Sequence, residues 1–149
     1  MIGDEKMTIK QLTVFVQNSK GTIVSVTDIL AKNGVNIRAL SIAETKDFGI
    51  LRLIVKDVDK AIKVLEENHY LIKATDVIGI TISDKPGGLA TALAALDKAN
   101  INVEYMYAFM TCSANSAYVV IRVADNAAAQ NALLAAGLEL MTEQDVADL

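Results

Sequence analysis

Apolar and polar residues follow the same order twice along the chain. In residues 12–16 (LTVFV) and 78–82 (IGITI), apolar side chains recur at every second position, which is typical of half-buried strands. A glycine-containing turn follows each strand, and apolar residues then recur at the spacing of a helix. These helical positions are Ile23, Val26 and Leu30 in the first copy and Leu89, Leu93 and Leu96 in the second.

The remaining pattern predicts the other elements of each copy. Gly34 and Asn100 are expected to end the first helices as C′ residues, and second and third strands follow at 36–45 and 49–56, then at 102–111 and 116–123. Asp59 and Asp125 are predicted to cap second helices, the first of which has Val58, Ile62 and Leu65 on one apolar face. A last strand is expected at 70–75 and, more weakly, after Gly137.

The two copies align at a constant offset of 66 residues, as from Gly21 to Gly87 and from Asn36 to Asn102. Beyond Asp59 and Asp125 the register slips by about two residues. We therefore predict an α+β fold of two ferredoxin-like βαββαβ units, each an antiparallel sheet with both helices on one face. The predicted limits are an N-terminal extension at 1–7, a first domain at 8–75 and a second at 76–149.

The second strands differ on the sheet face turned away from the helices. Leu40 and Ile42, aligned with Met106 and Ala108, are expected to face the helices. The opposite face carries Ala39 and Ser41 in the first copy, but Tyr105, Tyr107 and Phe109 in the second. Three aromatic side chains are not expected to lie bare in water, so this face predicts either an interface with another unit or subunit, or a surface on which a ligand stacks.

The turn before each first helix is the strongest candidate for a binding site. It reads NSKG at 18–21 and DKPG at 84–87, and a second glycine follows as Gly88. Backbone N–H groups of Gly87, Gly88 and Leu89 at a helix start would suit a carboxylate. Asp84 or Asn18 would accept from an ammonium group, and the amides of Asn36 and Asn102, expected at the same end of the sheet, would offer both polarities. An α-amino acid presents these charges, although the same residues also make a turn that binds nothing.

Residue usage argues against catalysis. His69 is the only histidine and Cys112 the only cysteine, which is too few for a zinc site built from these ligands, and Cys112 is expected to be an inert thiol and not a nucleophile. No phosphate-binding GxxxxGK loop is present. We expect no enzyme activity, no cofactor and no metal.

Charge and hydropathy limit the partners. The net charge of −4 argues against a nucleic acid or an anionic membrane surface, either of which needs a basic face. No apolar run approaches the roughly 20 residues that span a bilayer. A cytoplasmic location is the expectation.

The segment SDKPGGLATALAALDKANINV, residues 83–103, resembles the signature of ACT domains, and nearly the whole chain resembles a tandem pair of them. Two departures are Lys20, where the family usually has proline, and Val103, where it has isoleucine. The resemblance implies amino-acid sensing between adjacent ACT domains, where the turn of one faces the second-strand start of its neighbour. Carried over by position, it implies Asn18, Ser19, Gly21, Asp84, Gly87, Gly88 and Leu89 in the turns, and Asn36, Ile37, Asn102 and Val103 on the strands.

Two functional hypotheses follow. In the first, the chain is a free-standing, homodimeric regulatory protein that binds an amino acid or a similar small carboxylate and modulates a separate enzyme of amino-acid metabolism. In the alternative, it is a protein-interaction or dimerisation module that uses the aromatic face of Tyr105, Tyr107 and Phe109 and has no small-molecule ligand.

Overall fold

The structure, a computed structural model, describes residues 7–17 and 19–149. It contains two compact units. The N-terminal unit consists of residues 10–75, and the C-terminal unit consists of residues 76–149 together with residues 7–9. The domain limits inferred from the sequence stay a prediction. One candidate ligand-binding residue, Asn18, lies outside the described residues.

The N-terminal unit contains the order of elements predicted for it. They are β1 (Ile9–Gln17), α1 (Thr22–Lys32), β2 (Ile37–Glu44), β3 (Phe48–Val55), α2 (Val58–Glu67) and the first part of β4 (Leu71–Ser83). Strand β3 pairs antiparallel with β1 on one side and with β2 on the other. The α+β prediction is confirmed for this unit.

The C-terminal unit repeats the order and adds a helix. It contains the rest of β4, then α3 (Gly88–Lys98), β5 (Tyr105–Ala108), β6 (Ser116–Arg122), α4 (Asn126–Ala135), β7 (Glu139–Leu140) and α5 (Glu143–Asp148). Strand β4 pairs antiparallel with β6 and β7, and β6 pairs antiparallel with β5. The short helix α5, whose start is fixed by a reciprocal Thr142–Asp145 capping box, was not predicted.

Each unit has its own hydrophobic core between sheet and helices. In the N-terminal unit the alternating Leu12 and Val14 of β1 are fully buried against Leu30 of α1 and Leu65 of α2. The equivalent residues of the C-terminal unit are Ile78, Ile80, Leu96 and Leu133, and they are equally buried. The period-two and helical patterns therefore identified these core residues correctly.

Some predicted core positions are wrong. Leu89, in the first turn of α3, is 36% exposed, and Ala92, one helical turn later, fills the place against the sheet. Ile42 is 53% exposed although Leu40 packs on the core, and Ala108 is also exposed. Both exposed strand residues lie near the outer end of a strand that pairs with a single neighbour in its unit, where less surface covers them.

The helix ends are set by local hydrogen bonds. Asp57, and not the predicted Asp59, caps α2 by accepting from the Lys60 N–H at 3.2 Å, because the helix already begins at Val58. The predicted cap at Asp125 is confirmed. Gly34 and Asn100 adopt φ values of 70° and 59°, which confirms them as C′ residues after α1 and α3.

Candidate functional site

The turn before α3 shows why two glycines follow the single proline. Gly87 precedes the helix with φ 92°, a left-handed conformation that glycine adopts without strain. Gly88 lies against the end of β4, where a Cβ atom would be only 2.0 Å from the carbonyl oxygen of Ser83. The first glycine is therefore required by backbone conformation and the second by close approach.

The hydrogen bonds of this turn correct part of the predicted carboxylate-binding site. The Gly88 N–H already donates to the Lys85 carbonyl oxygen at 3.1 Å, so it is not free for a ligand. Among the described residues, the N–H groups of Gly87 and Leu89 have no such partner. A residue beyond the turn also fixes it, because the Asp84 N–H donates to the Asn115 carbonyl oxygen at 3.0 Å. The Asp84 side chain itself is exposed.

The turn before α1 has the same conformation at its glycine but different neighbours. Gly21 has φ 90°, and Thr22 stands where the other unit has Gly88. The hydroxyl oxygens of Ser19 and Thr22 lie 3.0 Å apart, and the Thr22 N–H donates to the Ser19 carbonyl oxygen at 3.4 Å. Lys20 occupies the place of proline and is exposed.

A surface pocket lies beside each turn, at equivalent positions in the two units. The N-terminal pocket has a volume of about 510 Å³ and includes Gln17, Lys20, Gly21, Ser25, His69 and Tyr70 in its lining. The C-terminal pocket has about 230 Å³ and includes Ser83, Lys85, Pro86, Gly87, Thr91 and Leu138. The first volume falls within the usual range of small-molecule sites and the second lies below it.

The far wall of each pocket comes from residues that the sequence analysis did not select. It is the connection that follows the second helix, with His69 and Tyr70 in one unit and Leu138 in the other. His69 has φ 68° and is the C′ residue of α2, where its N–H donates to the Glu66 carbonyl oxygen at 2.9 Å. The βαββαβ order itself was the available signal, since it returns this connection to the end of the sheet where the first turn lies.

The predicted proximity of the asparagines to their own turns is wrong. Strand pairing sets Leu12, Leu53 and Leu40 side by side and Gln17 beside Phe48, so the turn after Gln17 lies at the hairpin end of the sheet. Asn36 precedes β2 at the opposite end, roughly 25 Å away at the rise of a strand. Asn102 and Val103 are likewise far from Gly87, and they precede β5, which begins only at Tyr105.

The three aromatic residues of the second copy share one sheet face. Tyr105 pairs with Arg122 and Tyr107 with Val120, while the Phe109 N–H donates to the Tyr118 carbonyl oxygen at 2.9 Å. The rings of Phe109 and Tyr118 meet edge to face with their centroids 6.0 Å apart. Phe109 is buried and both tyrosines are half-buried, so the face is not bare; its role as an interface stays a prediction.

Two further findings concern the described residues alone. No group of three or more His, Cys, Asp or Glu side chains in them is arranged to hold a metal ion, and Cys112 is a free, exposed thiol. No helix in the described ranges is both long enough and apolar enough to cross a membrane.

Solved structures of high similarity include a bacterial relative. The protein BT0572 from Bacteroides thetaiotaomicron is 41% identical, with a TM-score of 0.88, and the match covers 96% of this chain and 98% of that one. The regulatory subunits of aspartate kinase from Thermus thermophilus and Thermus flavus have TM-scores of 0.62 and 0.58. Their identities are 18% and 17%, the matches cover 89% and 86% of this chain and 94% and 92% of theirs, and the likeness shows a shared fold.

The comparison with curated proteins gives no match. Among protein families, the ACT domain pair matches residues 7–149, which is nearly the whole chain. ACT domains are regulatory modules, and no catalytic family is indicated. With two βαββαβ units and this match, the chain belongs to the ACT domain pair family.

Proposed function

We propose that this protein binds a small α-amino acid in the pockets beside its first turns and, in response, regulates a separate enzyme of amino-acid metabolism. The observation that carries the proposal is the recurrence of the pocket. Both units place a cavity between the start of the first helix and the connection after the second, although its lining differs between them. A cavity that arose from imperfect packing alone would not be expected at equivalent positions of both units.

The chemistry of the turns supports an amino acid. At the start of α3 the unpartnered N–H groups of Gly87 and Leu89 offer donors to a carboxylate, and the helix dipole adds a partial positive charge there. The exposed carboxylate of Asp84 lies on the same turn and is free to turn toward an ammonium group. In the N-terminal unit, Ser19 and Gly21, with Asn18, hold the equivalent positions.

The second-strand residues enter the proposal in a different way. Asn36, Ile37, Asn102 and Val103 lie at the far end of their own sheets, so they do not complete the pocket of their own unit. They would serve the turn of a different ACT domain, as the family resemblance implies.

Regulation of an enzyme is supported by the family and by the fold. ACT domains are regulatory modules, and two solved proteins that share this fold are named regulatory subunits of aspartate kinase. We infer that the protein is a homodimer and that it acts on a separate enzyme. The alternative, an interaction module without a ligand, would use the aromatic face of β5.

Binding is tested by the melting temperature of the purified, ligand-free protein against the twenty amino acids and common 2-oxo acids. A ligand that binds only the native state at a hundredfold excess over Kd stabilises it by about 2.7 kcal/mol. Ser25→Phe and Thr91→Phe should fill the two pockets from exposed helix positions, and each should reduce the shift that its pocket produces.

The matched controls are Val24→Phe and Ala94→Phe, which add the same ring at exposed positions of α1 and α3 that line neither pocket. A shift that survives both filled pockets would place the ligand elsewhere. No shift with any compound, from folded protein, would favour the interaction module; Tyr107→Ala should then abolish assembly.

A further inference from the structure

The two pockets are built alike at the turn and differently at the far wall. With the offset of 66, Lys20 corresponds to Pro86 and Ser25 to Thr91. After the second helix the offset is 68, so His69 and Tyr70 correspond to Gly137 and Leu138. At these positions the N-terminal unit therefore has polar side chains where the C-terminal unit has proline, glycine and leucine, although the C-terminal pocket has a lysine of its own, Lys85, at its turn.

The polar groups of the N-terminal pocket suit an anionic group on the ligand. Lys20 supplies a positive charge, and among the described residues no aspartate or glutamate lines this cavity to neutralise it. On the far wall the Tyr70 hydroxyl donates to Ser25 Oγ at 2.9 Å, which leaves the Ser25 hydroxyl its own proton to donate. His69, held by its C′ position, adds ring nitrogens beside them.

The sizes of the pockets point the same way. The N-terminal cavity, at about 510 Å³, has room for a side chain that extends from the turn to the far wall. The C-terminal cavity, at about 230 Å³, ends on the apolar Leu138.

We propose that the pocket of the N-terminal unit is selective for an amino acid with an acidic side chain, whose second carboxylate is bound by Lys20, His69 and the Ser25–Tyr70 hydroxyl pair, and that the smaller C-terminal pocket, which ends on Leu138, accepts only a small side chain. This inference rests on the proposed amino-acid binding and adds the class of ligand. The two units of the pair then sense different compounds.

The test is isothermal titration calorimetry of the full chain, which measures the Kd for L-glutamate and for L-glutamine. These two amino acids have nearly the same shape and differ in the charge of one group. Because Lys20 and His69 are exposed, the expected preference for glutamate is about fivefold, the upper end for a solvent-exposed ion pair. Lys20→Met should remove most of this preference, and Tyr70→Phe and His69→Asn should each reduce it. Asparagine at position 69 tolerates the left-handed backbone, so that change removes the imidazole without adding strain.

The matched control is Lys46→Met, which removes the same charge from the β2–β3 hairpin, at the same end of the sheet but outside the pocket. It should keep the wild-type preference. Circular dichroism and melting of each ligand-free variant establish that it is folded. L-alanine, titrated in parallel, should bind Thr91→Phe more weakly than wild type and Lys20→Met as well as wild type.

The outcomes separate this inference from the proposed function. If no amino acid binds, the proposed function itself fails. If amino acids bind but glutamine equals glutamate, or if Lys20→Met keeps the preference, the acidic selectivity is wrong and amino-acid binding stands.

Discussion

Gly88→Ala gives the sharpest test of the turn before α3. A Cβ at this position would lie 2.0 Å from the Ser83 carbonyl oxygen, also 3.1 Å from the Ser83 carbonyl carbon, and ordinary contacts begin at about 3.4 Å. The start of α3 or the end of β4 must therefore move by at least about 1 Å, since both neighbouring atoms are backbone. Overpacking of this kind costs about 1–3 kcal/mol, and we expect the upper part of that range.

The sign of the effect is informative, because helix propensity alone predicts the opposite. Alanine in place of glycine within a helix stabilises by up to about 1 kcal/mol, and Gly88 is the first residue of α3. Urea unfolding, followed by far-UV circular dichroism, measures the change in the free energy of unfolding, provided that the dependence of this free energy on urea concentration (the m-value) is the same in both proteins. A variant as stable as wild type, or more stable, would refute the close-approach argument.

Two control variants separate close approach from backbone conformation. Gly87→Ala adds a Cβ in open space, so it should cost only the strain of the left-handed conformation, about 1–2 kcal/mol. Thr22→Ala changes the equivalent position of the N-terminal unit, which already carries a Cβ, and should have a smaller effect than Gly88→Ala. If Gly87→Ala were the more damaging glycine variant, conformation would be the stronger of the two constraints.

Three further predictions concern helix ends and charge. Asp57→Ala should lower the free energy of unfolding by about 1 kcal/mol and Asp59→Ala by clearly less, because only Asp57 caps α2; equal losses in urea unfolding would contradict this assignment. His69→Gly should raise the melting temperature, since it relieves a left-handed φ of 68°, and a lower melting temperature would show that the ring contributes more than the strain costs. Asp28, whose carboxylate oxygen lies 2.9 Å from Lys32 Nζ, raises the pKa of Lys32 through its hydrogen bond and its charge, so Asp28→Asn should lower that pKa in an NMR titration. Because the pKa of Lys32 is higher in the folded than in the unfolded state, the pair stabilises the protein at neutral pH, and this effect is lost as the pH rises through the pKa of Lys32.

The parts of the fold that were predictable depend on local pattern. The alternation of Leu12 and Val14 and its repetition at Ile78 and Ile80 fixed which side chains are buried, because a strand presents every second residue to one face. Gly34 marked a helix end, since few residue types adopt its φ of 70° at low cost. Such features need no knowledge of what lies across the fold.

The parts that were missed depend on tertiary neighbours. Asp57 and Asp59 are both plausible caps in the sequence, and only the position of the first helical turn decides between them. The pocket wall at His69 and Tyr70 is about fifty residues from the turn at Lys20, and no spacing in the sequence joins them. Asn36 was placed at the wrong end because its distance from the turn is set by strand register.

The two turns together explain where the chain places its only proline. Both glycines before the helices have the same conformation, with φ 90° and 92°, so the helix start alone does not require proline. The unit with Pro86 is also the one in which Gly88 meets the Ser83 carbonyl and the pocket has less than half the volume of its counterpart. Proline fixes its own φ and restricts the preceding residue, which reduces the number of conformations open to a turn that must fit closely. With Lys20 and Thr22 the other turn is less constrained, and the wider pocket beside it has room for a charged side chain.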